Sequence, residues 1–321
     1  MDAAAVRPAL SRVGLTGVEA VVRLGVDERS AQPFAARIDC TVEPERGPES
    51  DGRRFDDVVV DVVREVVVGA AGMRAERLAQ EIVERVRDRL DAPRAEVTIA
   101  ARFPERRPAP VSGTPTQEIS TLHAAAVATA RGTRRMLGVS AQGIMTAPHA
   151  QRVLAAHARE RLLAAGFDEA AVARALNDVP VATHDQRGTG TLHIGAPEGC
   201  ELVFDVPALL EIVEGAMSSE IFELMKRSDE GAVVERAHRR PRAADDCVRA
   251  MIAGAVGHLA GAPDTVFVSA AQESFETLHR HCLTAERAGL LGELRPELAG
   301  GGPPARRTSM RAWLDGRPGD A

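Results

Sequence analysis

"FAARIDCTV", residues 34–42, places Phe34, Ala36, Ile38, Cys40 and Val42 on one face and Arg37, Asp39 and Thr41 on the other. Alternation with a period of two is the mark of an amphipathic β-strand. Downstream, the hydrophilic "EPERGPESDGRR" leads into two helical stretches, 55–69 and 74–91. The second carries Leu78, Ile82, Val83, Val86 and Leu90 at helical spacing. Alternation returns in "AEVTIAARF", residues 95–103. With the stretch before residue 34, the first hundred residues read strand, strand, helix, helix, strand.

A second round follows the Pro-rich "PERRPAPVSGTP". Strands are expected over 117–130 and 134–145, then helices over 150–165 and 168–177. "GTGTLHIG" and "CELVFDV" read as short strands, "PALLEIVEGAM" and "DDCVRAMIAGAVGHLAG" as helices, and "DTVFVSAA" as a strand. The order of elements gives an α+β protein with a repeated, mostly antiparallel plan, although the residues themselves do not repeat. The Gly/Pro-rich end, "GGGPPARRTSMRAWLDGRPGDA", is expected to be mobile.

Composition narrows the function classes. Of 321 residues 45% are apolar, enough for a sizeable core, and 40 Lys and Arg against 46 Asp and Glu leave a net charge of −6. That balance offers no bulk attraction for nucleic acid or an anionic membrane, so a small ligand is the expected partner. No apolar run nears the roughly 20 residues that span a bilayer, and the N-terminal residues lack the layout of a signal peptide. Cys40, Cys200, Cys247 and Cys282 are widely spaced with no CxxC pair, in keeping with a reducing cytoplasm.

Groups able to do chemistry cluster in "VATHDQRGTGTLHIG", in "FELMKRSDEGAVVERAHRR", in "RAADDCVRA" and in "ESFETLHRHCLTAER". Histidine and carboxylate together suit Zn, Fe(II) or Mn where a metal keeps a position open for water. Each cluster also has a plainer reading. Single histidines serve as hydrogen-bonded structural residues, mixed charge runs as solvated helix faces, and Asp245 and Asp246 as helix caps. The residues by themselves lead to an α+β metalloenzyme or a binding protein for an anionic small molecule.

The stretches "RVGLTGVEAVV", "PVSGTPTQE", "ATHDQRGTGT", "SSEIFELMKRSDE", "VVERAHRRPRAADDCVR" and "ETLHRHCLTAERAG", in that order, resemble the type IB GTP cyclohydrolase family and within it the archaeal iron-dependent branch of methanopterin synthesis. The resemblance runs from about residue 12 to 295. It implies the tunnelling fold with two tandem units, 12–110 and 111–295, a tail over 296–321, and a homo-oligomer whose active sites lie at subunit interfaces. It further implies a metal-activated water attacking C8 of GTP, release of formate, and a dihydropterin or formamidopyrimidine product.

By motif position, the resemblance makes His184 a metal ligand or proton shuttle, Glu230 and His279 metal ligands, and Glu276 a catalytic partner. Asp245 falls where the family has a guanine-anchoring Glu, and Arg187, Lys226 and Arg227 are the candidate phosphate contacts. Where the family reads "MTACPCAQ" this chain reads "IMTAPHAQ", so the ligating Cys is Ala147 and the second Cys is His149. His149 is then the candidate replacement ligand or base, and loss of a soft thiolate shifts preference from Zn(II) toward Fe(II) or Mn(II). A shorter Asp245 that paired guanine imperfectly would cost on the order of 1–3 kcal/mol. Two alternatives stand beside GTP: another purine or pterin as substrate, and a non-catalytic oligomeric binding protein.

Overall fold

The computed structural model describes residues 10–25, 29–44, 52–69, 72–200, 202–302 and 307–316. Residues 45–51 of the hydrophilic loop and the first nine residues, part of the stretch searched for a signal peptide, lie outside them. Strands β1 (Val13–Leu24) and β2 (Gln32–Glu43) precede helices α1 (Gly52–Gly69) and α2 (Ala75–Leu90), and β3 (Arg94–Pro108), β4 (Pro115–Thr129) and β5 (Gly132–Thr146) follow. Next come α3 (Pro148–Ala164), α4 (Glu169–Asp178), β6 (Asp185–Ala196), α5 (Val206–Ala216), β7 (Ser219–Glu220), α6 (Arg227–Arg239) and α7 (Ala244–His258). The chain closes with β8 (Phe267–Phe275), β9 (Cys282–Leu290), α8 (Leu291–Leu298) and α9 (Met310–Leu314).

The strands form a single antiparallel sheet in the order β1-β2-β3-β4-β5-β6-β8-β9, with β7 paired to β5. This is the α+β class expected, and the sheet passes residue 110 without a break because β3 and β4 pair from Arg94–Thr129 to Pro108–Pro115. Helices α1 and α2 pack over one half of the sheet, α5 and α7 over the other. The strand residues beneath them alternate as the sequence predicts: Ile38 and Cys40, Val97 and Ile99, Leu122 and Ala124, Val139 and Ala141, Leu192 and Ile194, Val268 and Ala270 are buried in one continuous core. Helix α1 holds Val59, Val62, Val63 and Val66 against that core. Burial of this stripe outweighs the weak helix preference of β-branched residues.

On the other face, His123, Gly138 and His193 stand in one row across β4, β5 and β6. A Cβ at Gly138 would lie 2.3 Å from the His193 ring, so the two imidazoles approach only across a glycine. Burial lowers the pKa of both histidines, that of His193 to about 4.

Two expectations are corrected. "CELVFDV" forms no strand over its described residues 202–205; Asp205 instead accepts from the Ala208 N–H at 3.2 Å as the N-cap of α5, and capping chemistry prevails over a short alternation. The tail is docked over 307–316 rather than mobile. Trp313 is 2% exposed, stacks on Phe267 at 5.3 Å between centroids, and lies over Gly195, while Asp315 pairs with Arg94 at 2.8 Å. The single tryptophan supplies enough apolar area to hold an otherwise Gly/Pro-rich segment. Among the described residues no helix is long and apolar enough to cross a membrane.

Replacing Trp313 by Ala is expected to lower unfolding free energy by about 3–5 kcal/mol, read as a shift in the urea midpoint. A loss below about 1 kcal/mol would mean that the tail does not contribute to the core.

Candidate functional site

Antiparallel pairing sets the end of β5, the start of β6 and the end of β8 at one edge of the sheet. Thr146 pairs with Asp185, and Arg187 with Phe275. The Ala147 N–H consequently donates to the His184 carbonyl at 3.4 Å. Gln186 reaches across to the β8 end, its Nε2 donating to Ser274 Oγ at 2.8 Å and to Glu276 Oε1 at 2.5 Å. Three segments far apart in sequence, 146–149, 183–187 and 274–276, are brought together in this way.

The segment around His184 is braced from α3 and α6. Gln151 Nε2 donates to the Val181 carbonyl at 2.8 Å and the His238 carbonyl at 2.7 Å. His238 is buried, with Nε2 3.3 Å from the Thr183 carbonyl and 3.6 Å from an Asp185 oxygen, and Thr146 Oγ1 donates to Asp185 at 2.6 Å. His184 is half-buried and lines a shallow groove of about 500 Å3 with Ala150, Val153, Leu154 and Leu278. On either side of it in sequence, Thr183 Oγ1 and Gln186 Oε1 are buried without a hydrogen-bond partner.

His149 is exposed in the first turn of α3, behind Pro148, and Glu276 is half-buried at the edge. His279 and His281 lie in the exposed loop between β8 and β9 with rings stacked at 4.8 Å. Asp245, in the first turn of α7, is near the same edge because the Arg242 N–H donates to the Thr146 carbonyl at 3.1 Å. Its carboxylate is engaged by Arg249 at 2.5 Å, which lowers its pKa. Arg187 is exposed and alternates with Gln186 to the opposite face of β6.

Glu230, Lys226 and Arg227 are not brought to His184. They are exposed at the start of α6, and Glu230 is eight residues before His238, roughly 12 Å along the helix axis. Among the described residues no three His, Cys, Asp or Glu side chains gather as a metal site. Ala147 has no donor atom to offer. Cys247 sits nearby with Sγ 3.7 Å from Met145 Sδ, but burial pushes its thiol up to about 12, so it supplies no thiolate. The described residues of one chain therefore do not form a metal site by themselves.

The protein family described as type I GTP cyclohydrolase folE2 matches residues 2–285. This chain belongs to the type I GTP cyclohydrolase folE2 family. It is 32% identical over 297 residues to the GTP cyclohydrolase MptA of Methanococcoides burtonii, covering 90% of this chain and 92% of that protein. It is 31% identical over 299 residues to the GTP cyclohydrolase MptA of Methanococcus aeolicus, covering 91% and 96%. Among solved structures, a uricase from Bacillus fastidious aligns at a TM-score of 0.49 and 11% identity over 92% of this chain and 98% of that one. A guanine-bound dihydroneopterin aldolase from Burkholderia thailendensis aligns at 0.22 and 16% over 34% and 88%. The tunnelling fold of this folE2 family member follows from its own topology, helices over one face of a continuous antiparallel sheet, and from the family match.

In this folE2 family member one residue that positions α6 was not legible as such: Asp229. It is fully buried at the start of α6, accepting from Val111 N at 2.9 Å, Ser112 N at 2.7 Å, Ser112 Oγ at 2.7 Å and Lys226 N at 2.9 Å. It clasps the β3–β4 hairpin tip to α6. Read linearly, Asp229 is one charge in a mixed run, and only the separation of 117 residues from Ser112 hid its role.

These donors hold the Asp229 carboxyl well below the ordinary carboxylate range. Its contribution to stability is present above about pH 4, the unfolded-chain value, and is lost as pH falls through the folded-state pKa. Asp229→Asn is therefore expected to melt below the wild type at neutral pH, with the gap narrowing once pH drops under about 4. A gap that did not change with pH would show that the charge is irrelevant.

Proposed function

We propose that this protein is a GTP cyclohydrolase that opens the imidazole ring of GTP at C8 and releases C8 as formate. The family match spanning residues 2–285 carries this reading. Release of formate from C8 consumes two waters. The first adds at C8, and breakage of a ring C–N bond leaves a formamide; the second cleaves the formamide. Stopping after the first water leaves an open formamidopyrimidine that still holds C8. After the second water has freed C8 as formate, the bared amino group and the rearranged ribose can close, with loss of one water, into a dihydropterin.

Each addition needs a proton removed from water, and each cleavage needs one delivered to the departing nitrogen. An imidazole is suited to both tasks near neutral pH, which supports His184 as the proton-handling residue, with Glu276 held by Gln186 at the same edge. His149 is a second imidazole at that edge, on the first turn of α3. Asp245 is proposed as the base anchor, although it must release Arg249 to act so. Arg187, Lys226 and Arg227 are proposed for the phosphates.

A divalent metal, Fe(II) first and Mn(II) or Zn(II) after it, belongs to the proposal with His184, His279, Glu230 and His149 as donors. Because one chain does not gather them, no step is derived through the ion. A homo-oligomer, with Glu230 reaching the His184 of a neighbouring copy, would reconcile the donor set with the separation along α6. The cytoplasm is proposed as the compartment, in keeping with four free cysteines.

Protein purified without oxygen is expected to release formate from GTP, and to lose that activity to a chelator and regain it with Fe(II). His184→Ala is expected to lower kcat by about 100- to 10,000-fold without changing the melting temperature. Formate from another purine but not from GTP would shift the reading to a diverged substrate, for which the engaged Asp245 and the Ala147 replacement are the motive. Neither metal uptake nor formate would leave a binding protein.

A further inference from the structure

Gln186 is the second residue of β6 and pairs with Met145 of β5. Since Arg187 pairs with Phe275, Gln186 stands level with Glu276 just past the end of β8. Its two amide contacts, to Ser274 Oγ and Glu276 Oε1, are both made by Nε2. The partners decide which way the amide faces. An ionised carboxylate only accepts, so the NH2 group must be toward Glu276 and the carbonyl oxygen turned away. That oxygen is buried and has no partner, and neither does the nearby Thr183 Oγ1.

Buried acceptors in folded proteins are almost always met by a donor. Here the unmet oxygen is two residues from His184, at the edge where the ends of three strands converge, and its amide nitrogen is already committed. We propose that Gln186 is a substrate-reading residue: its Oε1 accepts from an N–H or O–H group of the bound purine nucleotide, while its NH2 orients Glu276. The proposal rests on the GTP cyclohydrolase reading and gives Gln186 a contact to substrate beyond its hold on Glu276. Base N–H and ribose O–H groups share the donor chemistry required.

Equilibrium binding of 7-deaza-GTP, whose five-membered ring lacks the C8–N7 bond the reaction breaks, tests it without turnover. Gln186→Met, which has neither acceptor nor donor, is expected to bind the analogue about tenfold more weakly than the wild type at an unchanged melting temperature. The exchanged double variant Gln186→Glu/Glu276→Gln keeps an acceptor oxygen at position 186 and a hydrogen bond to position 276 without opposing two carboxylates, and is expected to bind more tightly than Gln186→Met. With 7-deaza-2′-deoxy-GTP, loss of the difference between wild type and Gln186→Met assigns the ribose hydroxyl as donor. Persistence of the difference assigns the base. Equal binding of 7-deaza-GTP by the wild type and Gln186→Met, or equal losses in Gln186→Met and the exchanged double variant, overturns the proposal and leaves the cyclohydrolase reading standing. A wild-type protein that does not bind 7-deaza-GTP overturns both.

Discussion

Antiparallel pairing among β5, β6 and β8 is the constraint on which the candidate site depends. It alone sets Thr146, Asp185 and Glu276 at one edge, because neighbouring strands running in opposite directions bring the end of one beside the start of the next. The pairing cannot slide. A slip of one residue would turn Leu192 and Ile194 out of the core under α5 and α7 and expose them, while burying His193 and Thr191 in their place. The same burial that stabilises the sheet therefore fixes where Gln186 and His184 lie.

Helix α6 is tied at both ends to parts of the sheet that are distant in sequence. At its start, Asp229 gathers the hairpin tip at Val111 and Ser112. Near its end, His238 is set against the segment carrying His184. The helix works as a strut of fixed length between the two, and that length keeps Glu230 away from His184 within one chain.

Ala147 and Asp245 stand where the resemblance leads one to expect a Cys and a Glu. Ala147 is tied through its N–H to the His184 carbonyl, and nearby Cys247 has its thiol pKa raised by burial. The Asp245 carboxylate is engaged by Arg249. At this edge the hydrogen bonds from Gln186 to Ser274 and Glu276 are directional and leave the Gln186 Oε1 buried and unused.

Strand β2, helix α2 and strand β3 were legible within a few residues because each buries one face, and the period of the apolar residues reports that burial directly. The family was legible from ordered motifs. "CELVFDV" misled because an alternation of a few residues is weaker than an Asp cap followed by Pro, and the tail misled because its Gly and Pro content hid Trp313 and Asp315, which help to anchor it. Asp229 and Gln186 could not be read linearly, since a polar side chain has meaning only through partners, and apart from the Lys226 N–H theirs are about ninety or more residues away. The sequence by itself determined the elements, the covered face of the sheet and the family, all of which depend on local periodicity or on residues in order. Only the tertiary structure decided which polar groups meet, because hydrogen bonds act over about 3 Å and the chain must fold before distant residues come within that reach.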